Sequence, residues 1–211
     1  MSGIVIELQR DALSSDSDII SLLRKAYLIA RKLDLKDFES WTSYELNGYP
    51  NTSSIPDYRT VRGELKAWNP YYGWIPVVLQ SADIERSITE HKLDDSLSNL
   101  LNLYEGDSSH FVLSFNGEIN TFLSKCCDFD TKYCVQVGKN LLYKIAEIVK
   151  NHILDWAITL EENGILGENL SFSNEEKGKA QIPIIYNYTN NFYKDASNIQ
   201  IQQDTTDSLQ G

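Results

Sequence analysis

The chain has 211 residues, 42% of them hydrophobic and 11% aromatic, enough for one good-sized domain with its own core. Its formal charge of -11 works against broad electrostatic binding of nucleic acid, which needs clustered lysine and arginine. Three cysteines are an odd number for a disulfide framework, and no apolar run reaches the roughly 18 residues that a membrane-spanning helix needs.

Met1 to Glu7 has no basic stretch ahead of its apolar residues, so it does not read as a signal peptide, and the expected compartment is the cytoplasm. Ile4, Val5, Leu8 and Ala12 recur at helical spacing and predict a short helix over residues 3–13. Ser14 to Ser17 is a loop. A second helix runs from about Asp18 to Leu33, with Ile19, Leu22, Leu23, Ala26, Ile29, Ala30 and Leu33 as its apolar stripe. Its other face carries Arg24 and Arg31 in one column and Lys25 and Lys32 in a second, with Leu28 between them. A solvated basic face is the plain reading; a contact surface for an acidic partner or an anion is the sharper one.

Residues 35–47 predict a third helix, stopped by Gly48. Leu35, Phe38, Thr42 and Leu46 form its inner face, with Trp41 at the edge. Glu45 falls inside that face. A buried carboxylate is costly unless paired, so a cationic partner is expected, with Arg24, Arg31 and Arg59 as candidates. The pair is read first as a fold-specifying contact and second as an acid in a pocket or an anion site.

After a loop over 49–57, residues 58–67 read as one strand, with Val61, Gly63, Leu65 and Ala67 alternating with polar neighbours. Trp68-Asn69-Pro70-Tyr71-Tyr72-Gly73-Trp74-Ile75-Pro76 then makes a turn, and residues 74–79 resume as a strand. The unit is a β-hairpin with an aromatic tip, and Pro76 argues for an edge position or a break. Trp68, Tyr71, Tyr72 and Trp74 form a candidate aromatic surface, either a stacking platform or a tip that clamps the helices around Trp41.

Helices are predicted over 82–91, capped by Ser81, and over 95–103. A strand at 110–115 and a helix at 117–126 capped by Asn116 follow. Asp94, Asp95, Glu105, Asp107, Glu118, Asp128 and Asp130 make residues 93–130 acidic, which complements the basic columns. A strand at 133–137 precedes the longest helix, about Lys139 to Asn163, whose stripe is Leu141, Ile145, Ile148, Val149, His152, Trp156 and Leu160. Residues 164–180 read as polar and glycine-bearing. Beyond them Ile182, Ile184, Tyr186 and Tyr188 alternate, as do Ser197, Ile199 and Ile201 with Asn198, Gln200 and Gln202. Such an amide-rich alternating stretch suits strand pairing between copies, against the plain alternative of a disordered polar end.

Cys126, Cys127 and Cys134 fit no zinc-ligand spacing, and His152 sits in an apolar stripe. No glycine-rich phosphate loop follows a strand and no Gly-x-Ser-x-Gly elbow occurs. No metal, cofactor or catalytic residue is expected.

Several segments together resemble the AbiTii domain family of bacterial abortive-infection proteins. They are Ile4 to Gln9, Leu22 to Ala26, Ala30 to Leu33, Trp41 with Glu45 to Tyr49, Pro56 with Tyr58 and Arg59, and Gly63 through Val77. They cover roughly residues 4–80 in order. The stretch Asn198 to Thr206 also resembles a polar segment that follows this domain in relatives. The resemblance implies a part in defence against phage in which an infected cell stops growing or dies, and carries over no catalytic residue.

The expectation is an α+β fold: a helical N-terminal part on a small antiparallel sheet, a long C-terminal core helix, and a polar strand-forming tail. Its divisions are a globular domain over 1–166, a linker over 167–180 and a tail over 181–211. The expected function is a non-enzymatic, self-assembling sensor or effector of phage defence, with Ile199, Gln200, Ile201, Gln202 and Gln203 as candidate assembly residues. Its partners are other copies of the chain and a phage or host protein, not nucleic acid. The alternatives are a nuclease or nucleotide-processing toxin, or a binder of a small anionic signal, built on Glu45 and the arginines.

Overall fold

Apolar residues at helical spacing build the first layer. In a computed structural model, which describes residues 3–51 and 55–182, α1 spans Ile4–Leu13, α2 Ile19–Lys32 and α3 Lys36–Asn47. The Asp18 carboxylate accepts from the Ile20 and Ser21 N–H groups and so satisfies two of the orphan donors that start α2. Gly48, at φ 93°, ends α3 in a conformation a side chain would resist. These helices pack against α7, Asn140–Glu162, a 23-residue rod about 34 Å long. Its buried line runs through Leu142, Ile145, Ala146, Val149, Ile153, Trp156, Ala157 and Leu160. Leu141, Ile148 and His152, expected in that line, lie half-buried at its margin, because neighbours on several sides widen the covered arc. Trp156 stacks on Phe38 at 3.8 Å between ring centres.

The sheet is a second layer. Four antiparallel strands lie in the order β3-β2-β6-β5: β2 is Glu64–Asn69, β3 Gly73–Pro76, β5 His110–Ser114 and β6 Tyr133–Gly138. The hairpin of β2 and β3 forms as expected, with Pro76 on the edge, but β3 stops there and does not run on to residue 79. The single strand expected over 58–67 is instead three pieces. Asp57–Arg59 is a 3-10 turn, and β1, Thr60–Arg62, pairs with β4, Glu90–Lys92, in a separate two-stranded ribbon. Gly63 is the break. Its N–H donates to Thr89 O, while a Cβ there would stand 2.5 Å from Gln136 O and 2.8 Å from a Val137 methyl. Only glycine lets the chain change partners so close to β6. The first two residues of β4 fell within the helix expected over 82–91, which ends at Thr89.

One sheet face is apolar and covered. Leu65, Ala67 and Tyr133 pack on Ile88 of α4, Ala82–Thr89, and Leu123 of α6, Gly117–Cys127. Val135, Val137 and Phe111 join the helical core beside Leu97 and Leu100 of α5, Leu97–Glu105. The opposite face carries Lys66, Gln136 and Val112. The fold is thus the expected mixture of helices with a small antiparallel sheet and one long core helix.

The stretch 167–180, read as a polar linker, holds α8, Asn174–Ala180. Ser173 and Glu176 form a capping box, Glu176 also accepts from the Leu166 and Gly167 N–H groups, and Ala180 is fully buried. The expected tail strands and Ile199, Gln200, Ile201, Gln202 and Gln203 lie outside the described residues.

Candidate functional site

The end of α3 drives a carboxylate into the interior. Glu45 is fully buried, and so is Arg59, which the 3-10 turn after the 49–56 loop brings beneath it. Arg59 meets the carboxylate with two parallel bonds, Nε to Oε1 at 3.0 Å and Nη2 to Oε2 at 2.6 Å. The Tyr49 and Tyr58 hydroxyls both donate to Oε1 at 2.6 Å. Oε1 thus accepts three bonds and Oε2 one, all from the same chain. Trp41 Nε1 donates to Tyr58 Oη at 2.8 Å, so the indole backs the second phenol.

The guanidinium is equally engaged. Arg59 Nη1 donates to Leu93 O at 3.1 Å and Asp95 O at 2.7 Å, and its carbon lies 4.9 Å from the centre of the Tyr49 ring. Backbone bonds follow the same path: Tyr49 N to Asp94 O and Leu93 N to Arg59 O. The cluster stitches the end of α3, the loop after it and the approach to α5.

Burial, reinforced by the Glu45 charge, pushes the Tyr49 and Tyr58 hydroxyls far above the usual phenol range, so both stay protonated donors. Burial works against the Arg59 charge, yet the Glu45 carboxylate outweighs it and holds the guanidinium above its ordinary value. His152 lies beside the Trp41 and Tyr58 rings, where burial lowers it below the ordinary 6.5 against opposing pulls from Asp155 and Glu45.

Of the candidate cations, the structure brings only Arg59 to Glu45. Arg31 is 65% exposed and leans toward Glu39 at 3.9 Å, Arg24 is exposed, and Lys25 reaches Glu7 and Asp11 of α1. Leu28, between the basic columns, packs against the core and is not a stray surface leucine. The basic face is therefore partly engaged within the chain, and it stands apart from the buried pair. Tyr49 and Tyr58 were missed as carboxylate partners, although each adjoins a residue already singled out: Tyr49 stands four after Glu45, and Tyr58 precedes Arg59.

The aromatic tip stands in solvent. Tyr71 is 90% and Tyr72 82% exposed, Trp68 and Trp74 meet edge-to-face at 5.4 Å, and Asn69 Oδ1 accepts from the Tyr71 and Tyr72 N–H groups. The expected clamp on Trp41 does not form: that indole packs on Phe38 and His152 instead. Among the described residues, hollows that went unforeseen include two of moderate size. One, of about 420 Å³, is polar and lies over Gly48, Tyr49, Asp94 and Asp95. The other, of about 450 Å³, is an apolar groove of Ile84, Ile88, Phe115, Ile119 and Phe122 between α4 and α6. The three thiols are free, and burial pushes that of Cys134 up to about 11, which suits a structural residue. Among the described residues no group of three or more His, Cys, Asp and Glu is placed to hold a metal ion, and no helix is long and apolar enough to cross a membrane.

The AbiTii family model matches residues 3–185, from α1 through the sheet and α7 to just beyond α8. No curated protein and no solved structure matches the chain.

Two measurements check the geometry. Arg59→Leu strands the buried carboxylate and is expected to cost about 3–5 kcal/mol in urea denaturation; a loss below about 1 kcal/mol is what a solvent-screened pair would give. His152 binds its proton more weakly folded than unfolded. Its contribution is therefore complete above about pH 6.5 and is lost as pH falls below that value. His152→Gln is expected to flatten the stability profile between about pH 7 and pH 5; an unchanged slope would assign that loss to other groups.

Proposed function

The chain belongs to the AbiTii family, which makes it a bacterial abortive-infection protein of phage defence, and on that premise we propose that it works as a non-enzymatic, self-assembling sensor or effector module. One observation carries the reading. Glu45, the residue on which the toxin alternative rests, meets four donors from its own chain and is fully buried. A general acid or base needs a free position within reach of substrate, and an anion site needs an accessible cation. The buried Glu45–Arg59 pair offers neither, and the exposed Arg24 and Arg31 stand apart from it. The same geometry suits a strut that holds surfaces in place.

The surfaces are then the working parts. The exposed tip with Trp68, Tyr71, Tyr72 and Trp74 presents rigid aromatic area of the kind that anchors protein contacts, and a phage or host protein is its partner in this reading. The amide-rich stretch containing Ile199, Gln200, Ile201, Gln202 and Gln203 supplies assembly between copies, in the cytoplasm.

Static light scattering tests the assembly. The full chain is expected to exceed the monomer mass, and the chain without residues 183–211 to return to it. A monomer in both cases at high concentration contradicts the reading.

A further inference from the structure

The two edges of the four-stranded sheet are not alike. Val77 N donates to Leu65 O at 2.9 Å, so by the alternation of antiparallel bonding Trp74 and Pro76 turn their backbone groups away from β2. Pro76 has no N–H to offer, so the β3 edge is blunted as natural sheet edges commonly are.

At the other edge Lys139 N donates to Ser109 O at 3.2 Å, and His110 to Ser114 pair with Gly138 to Cys134. Phe111 and Leu113 therefore spend their backbone groups on β6, and those of His110, Val112 and Ser114 face outward. His110 is already served: its N–H donates to Ser108 Oγ, and Ser108 Oγ donates to its carbonyl. Val112, 48% exposed, and Ser114, also exposed, have no such partner among the described residues. Two N–H and two C=O groups thus stand open in line, with no proline or bulge to guard them.

We propose that this β5 edge receives residues 197–202 of a second copy as an added strand. The inference rests on the self-assembly reading and names the surface that the tail would pair with. Ser197-Asn198-Ile199-Gln200-Ile201-Gln202 has the period-two pattern that the position demands. With Ile199 and Ile201 on the Phe111 and Leu113 side, the added strand extends the apolar face. Asn198, Gln200 and Gln202 then extend the outer face beside Val112 and Gln136. The main-chain bonds supply affinity and the alternation fixes register, as in other strand-addition complexes.

The tail leaves the fold far from the edge it would pair with. Lys179 and Gln181 lie against Gly164 and the Leu33 carbonyl, at the C-terminal end of α7, whereas β5 begins beside Lys139 at its N-terminal end, about 34 Å away. The fifteen steps from Ile182 to Ser197 span at most about 50 Å, which reaches the chain's own edge as well as a neighbour's, so the choice of a second copy rests on the self-assembly reading.

Amide hydrogen exchange followed by NMR tests this without mutation. In the full chain the Val112 and Ser114 amides are expected to exchange at least about ten-fold more slowly than in the chain without residues 183–211. The amide of Trp74, on the blunted edge, is expected to be unaffected. Val112→Pro removes one outward N–H and no bond to β6, and is expected to lower the scattering mass to the monomer. A full chain that assembles with both amides unprotected overturns the proposal and leaves self-assembly standing, by pairing of tail with tail. Protection of both amides in a monomer also overturns it, because the donor would then be the chain's own tail. A full chain that stays monomeric with both amides unprotected removes both readings. Should Val112→Pro fail to fold, the exchange comparison decides.

Discussion

Glu45 carries a charge into the interior, and leaving water costs an ion several kcal/mol unless its new surroundings replace the lost hydration. Here the replacement comes from three places along the chain. Tyr49 comes from just past the end of α3, Tyr58 and Arg59 come from beyond the loop, and the carbonyls of Leu93 and Asp95, which hold Arg59, come from the approach to α5. Among the described residues between α3 and β1, Tyr49, Ile55 and Pro56 are the buried apolar ones, and the carboxylate ties Tyr49, Tyr58 and Arg59 together. The chain then passes through β1, in its ribbon with β4, to Gly63, which sets where β2 begins in the sheet. The aromatic layer of Trp41, Phe38, Trp156 and His152 links the same point to α7.

In the proposed reading, a cluster so fully engaged leaves function to the periphery. The periphery divides into a basic helix face partly tied to α1, an acidic hollow over Tyr49, an apolar groove between α4 and α6, an exposed aromatic tip and an open sheet edge. The last two are held by rigid elements, the tip by its hairpin ladder and the edge by β6. Surfaces on rigid elements lose little conformational freedom when they bind. For a protein of an abortive-infection family, that suits recognition and assembly.

Much of the helical layer was legible because a period of 3.6 is a strong signal: α1, α2, α3 and α7 lie close to where their stripes place them. The same wheel put Glu45 on a buried face and so demanded a cation. It could not choose among Arg24, Arg31 and Arg59, because Arg59 is brought in by a turn that no periodicity reports, whereas the two α2 arginines belong to the face that points away from the core. The strand break at Gly63 was hidden for a related reason. Alternation continues through residues 61–67, and only the approach of Gln136 and Val137 from β6, more than seventy residues on, makes that position a junction. In α8 polar residues dominate and composition reads as a linker, although Ser173 and Glu176 carry the capping-box spacing. The open edge of β5 was beyond reach, since a strand's place in the sheet order is not written in its own residues.

The central claim is that Glu45 holds the structure and does not act on a substrate. Glu45→Gln tests it most directly, because the amide keeps the size of the side chain and removes the charge that Arg59 and the two tyrosines answer. Melting temperature and protection of phage-challenged cells are measured on the same variant. The account predicts that the two fall together, with a clear drop in melting temperature. Loss of protection with an unchanged melting temperature would contradict it and make Glu45 a functional acid.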